Sequence, residues 1–88
     1  MIDLLTLRGQ IDEIDREIVS LYERRMKISG QVAEYKIETG KKVFDKQREE
    51  EKLAVLKSLV SNDFNRHGIT ELFEQIMSMS RKLLSSEV

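Results

Sequence analysis

Eighty-eight residues set the size of one domain, residues 1–88, with no room for a second core. No proline, four glycines and 35% charged residues favour long helices with solvated faces, and a formal net charge of −1 argues against a general nucleic-acid or polyanion binder. The absence of cysteine excludes a disulfide scaffold, a thiol nucleophile and the common zinc sites, and His67 alone cannot build a histidine-based metal site. Met1-Ile2-Asp3 opens no signal peptide, and no apolar run approaches the roughly 18 residues a bilayer span needs, so a cytoplasmic-type protein without a membrane partner is expected.

Residues 4–39 predict one long helix. Taken at alternating steps of three and four, Leu4, Leu7, Ile11, Ile14, Ile18, Leu21, Arg25, Ile28, Val32 and Tyr35 form a stripe in which nine of ten positions are apolar or aromatic. Such a helix is about 50 Å long, whereas a globule of this chain length is about 25–30 Å across. The overhang needs a cover; a symmetric homodimer is the economical one, and a partner domain is the alternative. Asp12, Glu13, Asp15, Arg16, Lys27 and Glu38 read as solvated face.

Gly40 then follows as a natural C′ residue, and Asp45 reads as the N-cap of a second helix with Glu49 and Glu50 in its early turns. Its stripe is Glu49, Leu53, Leu56 and Val60, closed by Ser61-Asn62-Asp63. Asn65-Arg66-His67-Gly68 reads as a polar turn, which makes His67 a loop residue. A third helix, starting between Phe64 and Thr70, carries Ile69, Leu72, Phe73, Ile76, Ser80 and Leu83 on one face. The expected fold is all-α, with one long and two shorter helices per subunit, intertwined in a homodimeric bundle.

Each helix thus sets a polar residue on an inward line: Arg25, Glu49 and Ser80. Taken singly, each has a plain explanation: a register-marking arginine, a dipole-favoured glutamate, an ordinary helical serine. Arg25 nonetheless has no acid one turn away on its stripe, where Leu21 and Ile28 flank it, so it awaits an anion from elsewhere. Lys36 lies eleven residues on, about three turns, which puts the two cations on one face roughly 16 Å apart. Arg8 lies about 25 Å away along the helix and can join the same site only from an antiparallel partner. Arg48 and Glu49 add a further cation and an acid able to accept from a hydroxyl. The set describes a pocket for a small dianion bearing a hydroxyl, with neither a base–nucleophile pair nor a glycine-rich phosphate loop. Its chemistry would rest on positioning and electrostatics.

Leu7-Arg8, Ile11-Asp12-Glu13-Ile14-Asp15, Glu23-Arg24-Arg25, Val32-Ala33-Glu34-Tyr35-Lys36, Val43-Phe44-Asp45-Lys46-Gln47-Arg48-Glu49 and Ile76-Met77-Ser78-Met79-Ser80-Arg81 together resemble the all-helical (AroQ-type) chorismate mutases over nearly the whole chain. That resemblance implies an intramolecular isomerase that converts chorismate to prephenate without a cofactor or metal, on the route to phenylalanine and tyrosine. It implies interlaced homodimers with shared active sites. It also implies that Arg25 and the partner's Arg8 hold the two substrate carboxylates, and that Lys36 meets the ether oxygen. Glu49 and the backbone near Asp45 would hold the ring hydroxyl, while Arg48 and Ser80 complete the pocket. Lys36, Arg25 and Glu49 are the expected catalytic group.

Leu84 departs from the pattern. It stands four residues after Ser80, where the family usually has Gln or Glu as second donor to the ether oxygen. Gln75 lies elsewhere on the helix, and Glu87 substitutes only if protonated. Besides the mutase, three other readings stay open: a non-catalytic chorismate-binding or regulatory module, an isochorismate-pyruvate lyase-like activity on the same fold, and a helical dimerisation module.

Overall fold

A computed structural model describes residues 3–42 and 44–86, with side chains through Leu83. Val43 and Glu87 lie outside the described residues, and Leu84 outside the described side chains.

Helix α1 spans Leu4–Glu38, within a residue of the expected bounds. Asp3 caps its start, accepting from the Leu5 N–H at 2.6 Å and the Thr6 N–H at 3.4 Å. These donors, Leu5 first and then Thr6, hold the Asp3 carboxyl below its ordinary value. At the other end Thr39 is the C-cap, and Gly40 takes φ +71°. Gly40 N–H donates to the Ile37 carbonyl at 3.3 Å and Lys41 N–H to the Lys36 carbonyl at 2.8 Å. That pair of bonds is a Schellman motif, which closes the last carbonyls and turns the chain away.

Helix α2 spans Lys46–Ser58, capped by Asp45, whose Oδ1 accepts from the Arg48 N–H at 3.1 Å. Glu49, Leu53 and Leu56 are half-buried along its inner line, with Val60 half-buried just past the helix end.

Helix α3 spans Asp63–Ser86 and corrects one expectation. Asn65-Arg66-His67-Gly68 is no turn, and His67 is no loop residue; all four lie in the first two turns of α3. The reason is a cap the sequence concealed among polar residues. Asn62 Oδ1 accepts from the Asn65 N–H at 2.8 Å, Asp63 pairs with Arg66, and His67 Nε2 lies 3.1 Å from Glu71 on the exposed face.

Helices α2 and α3 make an antiparallel hairpin. The Arg66 guanidinium donates to the Val60 carbonyl at 3.3 Å near the turn, and Arg81 pairs with Glu49 at the open end. Helix α3 also packs on α1, so it is the middle element that joins α1 to α2. The molecule measures 58 × 25 × 15 Å, and α1 supplies its long axis. Every described residue up to Arg24 is exposed, an overhang of about 30 Å at 1.5 Å per residue. The nine apolar seam residues of α1 are each 39–59% exposed, and among described residues only Ala33 and Met77 are buried apolar side chains. Among the described residues, no helix is long and apolar enough to cross a membrane.

Two glycines mark opposite outcomes: Gly40 ends α1 as expected, whereas Gly68, expected in a turn, lies inside α3. No neighbouring atom crowds a Cβ at either Gly40 or Gly68, so backbone preference decides the outcome. Gly40→Ala, forced to positive φ, should lose about 1–2 kcal/mol of stability. Gly68→Ala, in a helix, should gain about 0.5–1 kcal/mol. Urea unfolding of both variants gives the two signs.

Candidate active site

The interruption of the α1 seam meets the interruption of the α3 line. Arg25 Nη1 donates to Ser80 Oγ at 3.0 Å, and the Ser80 hydroxyl donates to the Ile76 carbonyl at 3.1 Å, one turn back. Ser80 Oγ also lies 3.6 Å from the Met26 sulfur. The serine therefore presents its lone pairs to the guanidinium and fixes its direction. Among the described residues no carboxylate comes within ion-pair distance of Arg25, which is half-buried. A charge so placed is stabilised by a neutral hydroxyl alone.

Around this pair opens a cleft of ≈ 360 Å³, within the range of small-molecule sites. Its apolar side is Ile28, Val32 and Ala33 of α1, Phe44 of the connection and Met77 of α3. Its polar side carries Arg25, Ser29 and Lys36 from α1, Arg48, Glu49 and Lys52 from α2, and Ser80 and Arg81 from α3. Among the described residues, five cations and a single acid line a cleft in a chain whose net charge is −1. Partial burial lowers the local dielectric, so such a field selects a small anion of more than one charge.

The structure brings Arg25, Lys36, Arg48, Glu49 and Ser80 to this one cleft. Lys36 is half-buried in the last turn of α1, where the Schellman turn holds its backbone. Arg48 is exposed at the rim. Asp45 does not line the cleft; its carboxylate caps α2 and accepts from Arg48, so it orders the segment that carries Arg48 and Glu49. Arg8 lies on the overhanging, exposed half of α1 and does not reach the cleft of its own chain.

Two site residues escape the polar-on-apolar reading. Arg81 pairs with Glu49, and its guanidinium carbon lies 5.1 Å from the Phe44 ring centroid, a cation–π stack. Lys52 is one turn after Arg48. The signal for Arg81 was its spacing: Met77, Ser80 and Arg81 stand at i, i+3 and i+4, which share one face.

A three-helix chain with a cationic cleft where all its helices meet has solved counterparts. The Form II structure of chorismate mutase from Thermus thermophilus matches with a TM-score of 0.87 and 30% identity, covering 93% of each chain. Its Form I structure matches with a TM-score of 0.82 and 31% identity, over 88% of this chain and 96% of that one. The bifunctional chorismate mutase/prephenate dehydratase of Buchnera aphidicola subsp. Schizaphis graminum is 38% identical over 88 aligned positions, or 94% of this chain. The chain spans 23% of that curated relative's length. The family profile for chorismate mutase type II matches residues 7–84. This chain belongs to the type II chorismate mutases, a family of all-helical isomerases.

The unpaired guanidinium on an apolar line predicts an inverted mutational effect. Arg25→Leu restores the seam and should stabilise the protein by about 0.5–2 kcal/mol, the range of ordinary stabilising substitutions, because Arg25 is only half-buried. Denaturant unfolding measures it; a loss of stability would mark Arg25 as a structural residue.

Proposed function

We propose that this chain rearranges chorismate to prephenate in the cytoplasm, as a homodimer whose two clefts each take one residue from the partner. The observation that carries the reading is Arg25: a half-buried cation, aimed by Ser80, with no carboxylate among the described residues to pair with it, in a cleft those residues line with five cations and one acid. A substrate with two carboxylates and a ring hydroxyl matches that donor set. Arg25 holds one carboxylate from within the chain. The partner's Arg8 holds the other, since Arg8 stands far from its own cleft, and an antiparallel partner helix would cover the exposed α1 seam.

The reaction is a unimolecular pericyclic step, so the protein supplies shape and charge. The carboxylate clamp holds the flexible ether in a compact chair, which removes much of the entropic part of the barrier. As the C–O bond breaks, negative charge grows on the ether oxygen, and the Lys36 ammonium stabilises it more than it stabilises the ground state. Glu49 accepts from the ring hydroxyl. Arg48 and Ser80 complete the wall.

Loss of chorismate absorbance, with the product identified as prephenate, tests the activity; pyruvate release would indicate a lyase, and saturable binding without turnover a binding module. Arg25→Ala should lower kcat/KM by about 10²–10³. Inactive Arg8→Ala and Arg25→Ala subunits, mixed and exchanged, should regain activity in one of the two heterodimer sites. No regain after verified exchange would argue against a shared site.

A second reading, slow turnover on an intact clamp, is favoured by Leu84, which cannot donate to the ether oxygen. One missing donor of this kind costs about 10²–10³ in rate. Leu84→Gln should therefore raise kcat, by up to that factor; an unchanged kcat would show that Lys36 and preorganisation suffice.

A further inference from the structure

The contact that neither the clamp nor the ether donor explains is the ion pair between Glu49 and Arg81. We infer that Arg81 is a positioning residue that holds the Glu49 carboxylate against the cleft wall, aimed at the substrate hydroxyl and away from the cations that must bind the substrate carboxylates. The inference rests on the proposed contact of Glu49 with that hydroxyl.

Cations compete for this carboxylate. Among the described residues, Glu49 is the one acid lining a cleft that also holds Arg25, Lys36, Arg48 and Lys52. Lys52 is one turn from Glu49 on the same helix, at i+3, and Lys36 lies across the cleft. A carboxylate free to rotate among them would settle on a cation and neutralise part of the clamp before substrate arrived. Arg81 prevents this from the adjoining helix. Its Nη1 donates to Glu49 Oε1 in a charge-assisted bond, with the two side chains 39% and 28% exposed. A carboxylate has lone pairs for several donors, so this bond leaves Glu49 able to accept from a ligand.

Arg81 is itself held in place. It lies on the wall between the cleft and a second cavity of ≈ 330 Å³, which also presents Glu50 and Glu74. Glu50 is taken by Lys46 at 3.9 Å. The Arg81 guanidinium carbon lies over the Phe44 ring, 5.1 Å from its centroid, a cation–π contact that holds the head group while its Nη1 donates to Glu49. Arginine suits the position because a planar fork can stack and donate at once; a lysine ammonium can only attract.

The test is a double-mutant cycle on the full chain, read as KM, kcat and, with a non-reacting cyclic dicarboxylate bearing a ring hydroxyl, as Kd. Glu49→Gln alone should lower kcat/KM about tenfold or more. Arg81→Met should lower it about five- to tenfold, chiefly through KM and Kd, with Arg81→Lys recovering part of the loss. The double variant should match Glu49→Gln within twofold, because Arg81 acts only through that carboxylate. A merely structural Arg81 would lower the thermal midpoint and multiply with Glu49→Gln in kcat/KM, which overturns the inference. So would a costly Glu49→Gln beside a neutral Arg81→Met. If Glu49→Gln itself has no effect, the hydroxyl contact fails and the inference fails with it. Where Arg81→Met does not fold, Arg81→Lys and its pair with Glu49→Gln carry the same comparison.

Discussion

An arginine on an apolar helical stripe, with no acid among the described residues to answer it, is the constraint around which this molecule is organised. A charge in that position costs stability unless something meets it. The chain meets it with the least it can, a single serine hydroxyl from another helix. The serine belongs to α3, whose next residue, Arg81, pairs with Glu49 on α2, so two adjacent residues of α3 bring polar groups of all three helices to one point. The site lies where the three helices meet, and the two buried apolar side chains among the described residues, Ala33 and Met77, line it as well.

The distribution of charge follows the same logic. A chain nearly neutral overall concentrates cations in its cleft, so the balancing acids must lie outside it. Asp12, Glu13, Asp15, Glu17 and Glu23 all stand on exposed faces of the overhanging half of α1. The arrangement keeps the surface mixed in sign while leaving one concave region strongly positive, which is where field lines focus. Neutrality of the whole conceals polarity of the part, and a net charge of −1 thus excludes a polyanion surface without excluding a site for a small dianion.

Legibility in the sequence divides along physical lines. The long helix, its Gly40 end and the Asp45 cap were readable because each rests on a local rule: a heptad period, a left-handed residue, an oxygen that accepts from a backbone amide. Arg25, Glu49 and Ser80 were readable as exceptions to a period. The start of α3 was not, because Asn62 capping turned a run of polar residues into helix, and polar residues serve caps and turns alike. Arg81 was hidden for another reason. A cation beside a serine on a helix looks solvated until a second helix supplies its carboxylate, and that meeting is long-range.

The turn at Gly40 has a consequence for variation in length. Loops usually tolerate insertions and deletions. This connection is a ruler between Lys36, the final-turn cation of α1, and Glu49, the acid of the first turn of α2. Asp45 starts the second helix wherever its own position falls, so an added residue after Gly40 slides the whole start of α2 outward, Arg48 and Glu49 included. A lost residue draws the same segment in and pulls Phe44 off the guanidinium it faces. Indels acceptable in an ordinary surface loop are expected to be absent from functional descendants of this chain between residues 40 and 45, while the exposed α2–α3 turn should accumulate them.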